Sequence, residues 1–134
     1  MPLLLVIALG GALGALGRWG LEETFPAFVP GGWPWGTLLA NLLGAFAIGL
    51  IATSPRVAAG PDRLRPFLIT GVLGGFTTFS AFALELGVML DAGRIVAAAA
   101  YLLITLVGGL AAVHVALWFR GRLAGTPTGE GRHP

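Results

Sequence analysis

Four apolar runs, each at or near bilayer-crossing length, take up almost the whole of this 134-residue chain. A spanning helix needs roughly 20 mostly apolar residues. The runs cover 3–19, 35–53, 66–90 and 94–119. Hydrocarbon offers no partners to backbone N–H and C=O groups, so runs of this kind cross it as helices whose hydrogen bonds are internal. The expectation is an all-α integral membrane protein with four transmembrane helices, forming one domain over 1–120. The intervening segments carry charges and turn formers: Glu22-Glu23 through Pro34, Ser54-Pro55-Arg56 through Arg65, and Asp91-Ala92-Gly93. No stretch is left over for a soluble domain. Residues 121–134 are small, polar and proline-containing, and are expected to form a disordered tail.

Composition agrees with the membrane assignment. Hydrophobic residues make up 56% of the chain and charged residues only 10%, with a mean hydropathy of +0.87, outside the range of soluble domains. Its basic side chains are all arginines beside apolar runs, where they face cytoplasm or lipid headgroups, so the bilayer is the expected partner and nucleic acid is not. Cysteine is absent, which removes disulfides, thiolate chemistry and cysteine metal ligands. The start, Met1-Pro2-Leu3, lacks a basic n-region, and the first run is read as a retained span rather than a cleaved signal. Arg56, Arg63, Arg65, Arg120, Arg122 and Arg132 fall on the side of the termini, against Arg18 and Arg94 opposite, a bias favouring both termini inside.

The third run contains the chain's most unusual stretch, residues 71–82, read as Gly-Val-Leu-Gly-Gly-Phe-Thr-Thr-Phe-Ser-Ala-Phe. Paired glycines, hydroxyls and phenylalanines predict that this helix breaks in mid-membrane, released at Gly74-Gly75. Non-helical backbone survives at that depth only where protein, water or an ion satisfies it. Carbonyls freed around residues 74–78 can converge on a small hard cation, or the break can be a glycine kink with its carbonyls bonded locally. Small residues at four-residue spacing, such as Gly10/Gly14, Ala40/Gly44 and Gly71/Gly75, allow close backbone approach and are read as supporting oligomerisation. Four tightly packed helices leave little interior room, so a polar route is expected along a surface completed by a second copy, the smallest assembly being a homodimer.

Polar side chains inside spans are costly unless paired or lining water. Asn41 and Thr37 share a face of the second span; Asn41 either bonds a neighbouring helix or aims its amide N–H groups at an anion or water file. Tyr101 and Thr105 share a face of the fourth, and Thr105 can instead bond its own i−4 carbonyl. Phe79 and Phe82 project from nearly one face after the break, where ring edges carry partial positive charge that meets an anion without binding it as tightly as arginine or lysine does. Arg18 reads as an interfacial anchor or an anion-attracting vestibule residue. Glu85 is placed near a helix end, paired with arginine or exposed in a vestibule, with proton coupling as the alternative. His114 reads as an interfacial side chain, with a proton relay as the alternative. No nucleophile–base or metal-ligand constellation is visible, so an enzyme is not expected.

The chain resembles the Fluc fluoride channels, also called CrcB proteins, over all four spans. The resemblance rests on residues 10–19 (Gly-Gly-Ala-Leu-Gly-Ala-Leu-Gly-Arg-Trp), residues 36–44 (Gly-Thr-Leu-Leu-Ala-Asn-Leu-Leu-Gly), residues 74–82 (Gly-Gly-Phe-Thr-Thr-Phe-Ser-Ala-Phe) with Glu85 following, and Tyr101, Thr105 and Gly109 at four-residue spacing. It implies a fluoride-selective passive channel in the cell's inner (plasma) membrane that exports fluoride from the cytoplasm and lowers its toxicity. The implied assembly is an antiparallel, dual-topology homodimer with two pores. Carried over by motif position, Asn41 donates to fluoride, Phe79 and Phe82 form the aromatic pair, and Thr37, Ser80, Tyr101 and Thr105 add polar lining. Gly74 and Thr77 lend main-chain carbonyls to a structural sodium at the dimer centre, and Arg18 and Glu85 belong to the vestibule. Ala83 and Gly109 stand where some family members place hydroxyls, which implies a thinner lining. The arginine bias opposes equal insertion in both directions, so either the distal arginines count little or the subunit pairs with an oppositely oriented partner; the homodimer is the expectation. A small multidrug-type dual-topology transporter and a non-transporting membrane scaffold subunit are the rival readings. The first lacks a carboxylate in the first helix, and the second does not account for the Asn, the Phe pair and the break together.

Overall fold

The computed structural model describes residues 1–27 and 32–124. Helix α1 spans Leu3–Thr24, α2 Trp35–Ala52 and the short α3 Pro55–Ala58. The third span begins as a π-helix, π1, over Pro66–Leu73 and continues through a single turn, α4, at Gly74–Phe76; it resumes as α5 over Ser80–Asp91. The last helix, α6, runs Ile95–Ala124. Four helical stretches are long and apolar enough to cross a membrane: Leu3–Thr24, Trp35–Ala52, Pro66–Asp91 and Ile95–Leu123. The protein is therefore an all-helical, multi-pass membrane protein.

Two boundaries differ from the sequence reading. Helix α1 continues through Glu22 and Glu23, because Glu22 pairs with Arg18 one turn earlier at 2.9 Å. It ends at Phe25, which precedes Pro26 and takes a non-helical φ of −128° and ψ of 74°. Helix α6 continues past Phe119 to Ala124, so residues 121–124 are helical rather than part of a disordered tail. Arg120 donates to the Thr53 carbonyl at 3.1 Å, and Arg122 lies over the Trp118 ring at 4.2 Å, anchoring that last turn. The rest of the expected tail, 125–134, lies outside the described residues.

The break is also displaced from its expected position. Gly74 is helical, at φ −64° and ψ −34°, and Gly74 and Gly75 both belong to α4. The chain leaves the helix at Thr77, whose ψ is 154°, and turns back into one after Phe79. The glycines serve packing instead. A Cβ at Gly10 would lie 2.6 Å from the Phe67 carbonyl, one at Gly71 2.8 Å from the Ile7 carbonyl, and one at Gly75 3.0 Å from Gly11 Cα. Their small-residue pattern thus joins α1 to π1 and α4 within one subunit, and those pairs are not evidence for oligomerisation. Helix α2 packs along α6 in the same way, with Gly49 against Val113 and Ala116.

Leu38, Phe82, Met89, Ala98 and Tyr101 form the buried core where α2, α5 and α6 meet, backed by Trp33, Leu42 and Leu86. The turn from α5 to α6 needs Gly93, at φ +70°; the Arg94 N–H then reaches the Met89 carbonyl at 2.8 Å and closes the helix end. Much of the outer surface is apolar, including Leu9, Leu13 and Leu16 on α1 and Leu103, Val107 and Leu110 on α6. Such a surface is stable against acyl chains or a second protein copy, not water.

Candidate functional site

The site is organised around backbone groups that the break in the third span sets free. In a continuous helix the Thr78 N–H would serve the Gly74 carbonyl. Here it donates to Asn41 Oδ1 at 2.8 Å, while Asn41 Nδ2 donates to the Thr78 carbonyl at 2.9 Å. One amide therefore satisfies both polar groups of residue 78. The Gly75 carbonyl, which would have served Phe79, is approached by Arg18 Nε at 3.4 Å. Thr77 Oγ1 donates to the Leu73 carbonyl at 2.9 Å, and Thr78 Oγ1 accepts the Ala81 N–H at 3.3 Å, capping the resumed helix. Gly74 lies exposed at the edge of this arrangement.

Asn41 reaches residue 78 because Gly44, one turn later on α2, has its Cα facing the Thr77 side chain; a Cβ there would collide with Thr77 Cγ2. The break and α2 thereby form one wall of a cleft of about 290 Å³ lined by Asn41, Thr77, Thr78, Phe79, Phe82, Thr105 and Leu106. None of these residues carries a charge. Phe79 is 77% exposed at the mouth and Phe82 is 5% exposed behind it, with ring centroids 5.8 Å apart. The aromatic series continues inward through Tyr101, 5.2 Å from Phe82, to Trp33, 5.8 Å further and edge-on. Thr105 Oγ1 is buried with no partner among the described residues, so its proton is not committed to the i−4 carbonyl. Asn41 likewise has a second Nδ2 proton beyond the one given to Thr78. The cleft thus combines neutral donors with ring edges.

Glu85 does not occupy an exposed helix end. It is 5% exposed, accepting Thr37 Oγ1 on one carboxylate oxygen and the Tyr101 hydroxyl on the other, each at 2.6 Å. The hydroxyls of Thr37 and Tyr101 therefore point at Glu85 and do not line the Phe79 cleft. Charge-assisted bonds of this kind let a carboxylate remain in a low-dielectric core. The edge of Glu85 also contributes to a second cleft of about 350 Å³ with Arg18, Trp19, Glu22, Glu23, Pro26, Ala27, Ala81 and Leu84. Arg18 and Glu85 thus line one cleft. Within it Arg18 is paired with Glu22, so its charge is partly neutralised.

Of the residues singled out from sequence, Asn41, Phe79, Phe82, Thr105 and Thr77 come together in the first cleft, and Arg18 and Glu85 in the second. Ser80 is exposed at the mouth, its Oγ 3.1 Å from Thr78 Oγ1. Thr37 and Tyr101 stand behind the aromatic pair. The sequence predicts freed backbone as far as Thr78 but not its pairing with Asn41, and it does not point to Trp33, which precedes the second span in a connecting segment. His114 is exposed, and its Nδ1 lies 2.8 Å from the Leu110 carbonyl one turn earlier on the same helix.

Residues 5–117 match the family model described as CrcB-like protein, Camphor Resistance (CrcB). Among curated proteins, the chain is 42% identical over 121 residues to the fluoride-specific ion channel FluC of Hyphomonas neptunium, covering 89% of this chain and 95% of that one. It is 44% identical over 131 residues to FluC of Anaeromyxobacter dehalogenans, covering 93% and 100%. With FluC of Paracoccus denitrificans it shares 47% identity over 109 residues, covering 81% and 86%.

Proposed function

The chain belongs to the CrcB family, and we propose that it is a fluoride-specific ion channel whose conduction path runs through the Asn41–Phe79–Phe82–Thr105 cleft. The observation that carries this reading is the chemistry of that cleft. A buried, uncommitted Thr105 hydroxyl and a spare Asn41 N–H face two phenylalanine rings, with no charged side chain in the lining. Fluoride is small and strongly hydrated, so a path that strips its water must return strong hydrogen bonds. Conduction also needs binding weak enough to release the ion, which neutral donors allow and a lining arginine would not. The names of the relatives, fluoride-specific ion channels over most of their length, support the choice of fluoride among anions.

Passive flow suffices for protection of a cell. Fluoride enters as the neutral acid from an acidic exterior and is held inside as the anion, and an inside-negative potential assists its exit by roughly 2.3 kcal/mol per charge per 100 mV. The channel thus resides in the inner (plasma) membrane. The cleft is open beside Phe79, so a second copy is the natural cover, and an antiparallel homodimer is our reading of the assembly. Gly74 is exposed and its carbonyl has lost the Thr78 N–H to Asn41, which suits a main-chain ligand for sodium between two copies, with the Thr77 carbonyl beside it. Thr37 and Tyr101 donate to Glu85 and stand outside the lining of this path.

Purified protein in liposomes loaded with fluoride or chloride tests the function. Rapid fluoride efflux with chloride retained is expected. Equal loss of both anions, or no fluoride loss, defeats the reading. Phe79→Ile, which removes the exposed ring edge and leaves the buried core intact, should slow fluoride efflux by at least about tenfold, equivalent to roughly 1.4 kcal/mol on the barrier.

A further inference from the structure

The end of the bundle that bears the N-terminus, α3 and the last turn of α6 is strongly cationic. Arg56, Arg63, Arg65, Arg120 and Arg122 lie there, and Asp62 is the sole carboxylate among the described residues of that end. Two of these arginines line one cavity. Ser54, Pro55, Arg56, Arg120 and Leu123 enclose about 510 Å³ between the α2–α3 turn and α6. Arg120 is fixed there by its bond to the Thr53 carbonyl, and no carboxylate among the described residues lies within ion-pair distance of Arg56 or Arg120. Two guanidiniums and a hydroxyl around a half-apolar hollow fit a phosphate bearing an organic substituent better than a free ion.

Depth decides what that substituent is. Trp118, 57% exposed and covered on one face by Arg122, sits within the last two turns of α6, a place where tryptophan marks the headgroup level of a bilayer. Leu117, Phe119 and Leu123 beside it are also exposed and need acyl chains to cover them. We propose that the Ser54–Arg56–Arg120 cavity binds the phosphate headgroup of an anionic phospholipid, whose acyl chains lie along the last two turns of α6. The site is remote from the Phe79 cleft and does not rest on fluoride conduction. In an antiparallel pair it would recur once in each leaflet.

Retention of added lipid by the full-length protein in detergent, read by native mass spectrometry, tests this with phosphatidylglycerol against phosphatidylcholine. Phosphatidylglycerol should be retained preferentially, and Arg56→Gln with Arg120→Gln should reduce that retention about twentyfold, since each surface arginine contributes roughly fivefold toward an anionic lipid. Arg63→Gln with Arg65→Gln removes the same charge from the same end outside the cavity and should leave retention within about twofold of the original protein. Equal loss in both pairs overturns the proposal in favour of undirected surface charge. Displacement of phosphatidylglycerol by equimolar inorganic phosphate overturns it in favour of a soluble-anion site, and slowed fluoride efflux with lipid retention unchanged assigns the arginines to the ion path instead. Arg56→Gln alone keeps the Arg120–Thr53 bond and should still lower retention about fivefold if the double variant does not fold.

Discussion

Asn41 is bound at both ends of its amide to one residue of the broken span, and this makes it structural as well as functional. Asn41→Asp keeps an acceptor for the Thr78 N–H, but places a carboxylate against the Thr78 carbonyl where a donor stood. Leaving that carbonyl unpaired should destabilise the subunit by about 1–3 kcal/mol and abolish fluoride efflux together. A denaturation midpoint equal to the parent protein's would show that the clasp does not hold the break. Glu85 poses a different case, with two hydroxyl donors converging on one carboxylate. Glu85→Gln can accept from only one of them and presents an NH2 to the other, so a loss of about 1–3 kcal/mol is expected. Because Thr37 acts through the same group, adding Thr37→Val to Glu85→Gln should cost less than the sum of the single changes. Strict additivity in unfolding measurements would mean that the two side chains are not coupled.

At the level of elements, the interface between α1 and the first half of the third span is the most closely packed surface of the molecule. Main chain meets main chain there: a Cβ at Gly14 would overlap the Val72 carbonyl and lie 2.8 Å from the Phe76 N. Since backbone on both sides resists displacement, Gly14→Ala should cost at least about 1–3 kcal/mol. Gly20→Ala, on the same helix with nothing within 4 Å of the added carbon, should be neutral or slightly favourable. Recovery of monodisperse protein from membranes compares the two, and similar yields would contradict the packing role assigned to Gly14. The same interface positions the functional elements, because it fixes α4 and so the place where Thr77 departs from the helix. Gly74 and Gly75 drew attention in sequence as helix breakers. In the folded subunit they remain helical and let α1 approach, while the turn itself is held by Asn41, Thr78 and Arg18.

At the scale of the whole molecule, the distribution of arginines bears on orientation. The cationic end carries five arginines among the described residues against Arg18 and Arg94 at the other. A single orientation is what such a bias favours. Arg18 is paired with Glu22, and Arg94 Nη1 donates to the Gly32 carbonyl at 3.0 Å, so both are bound to protein groups rather than free to interact with headgroups. An antiparallel homodimer nevertheless requires both orientations. Reporter fusions at the C-terminus, one active only inside and one only outside, should both give signal. A tail detected only inside would exclude dual topology for this chain expressed alone and leave the Phe79 cleft to be covered by another partner.

Hydropathy alone determined the all-helical class, the number of spans and their approximate limits, because lipid admits few other ways to satisfy a backbone and the apolar runs are long. The identities of Asn41, Phe79, Phe82 and Thr105 were also legible, as costly or oddly grouped side chains in an otherwise apolar setting. Tertiary structure decided how those side chains are engaged. Whether Asn41 faces an ion or a peptide group, whether Thr37 and Tyr101 line a path or hold Glu85, and whether a glycine pair bends a helix or lets a neighbour approach depend on contacts between spans. Such contacts join residues 16–57 positions apart, as in Tyr101 with Glu85, Asn41 with Thr78, Thr37 with Glu85 and Arg18 with Gly75. Local periodicity reports which face a residue occupies on its own helix, but only packing between helices sets what stands opposite.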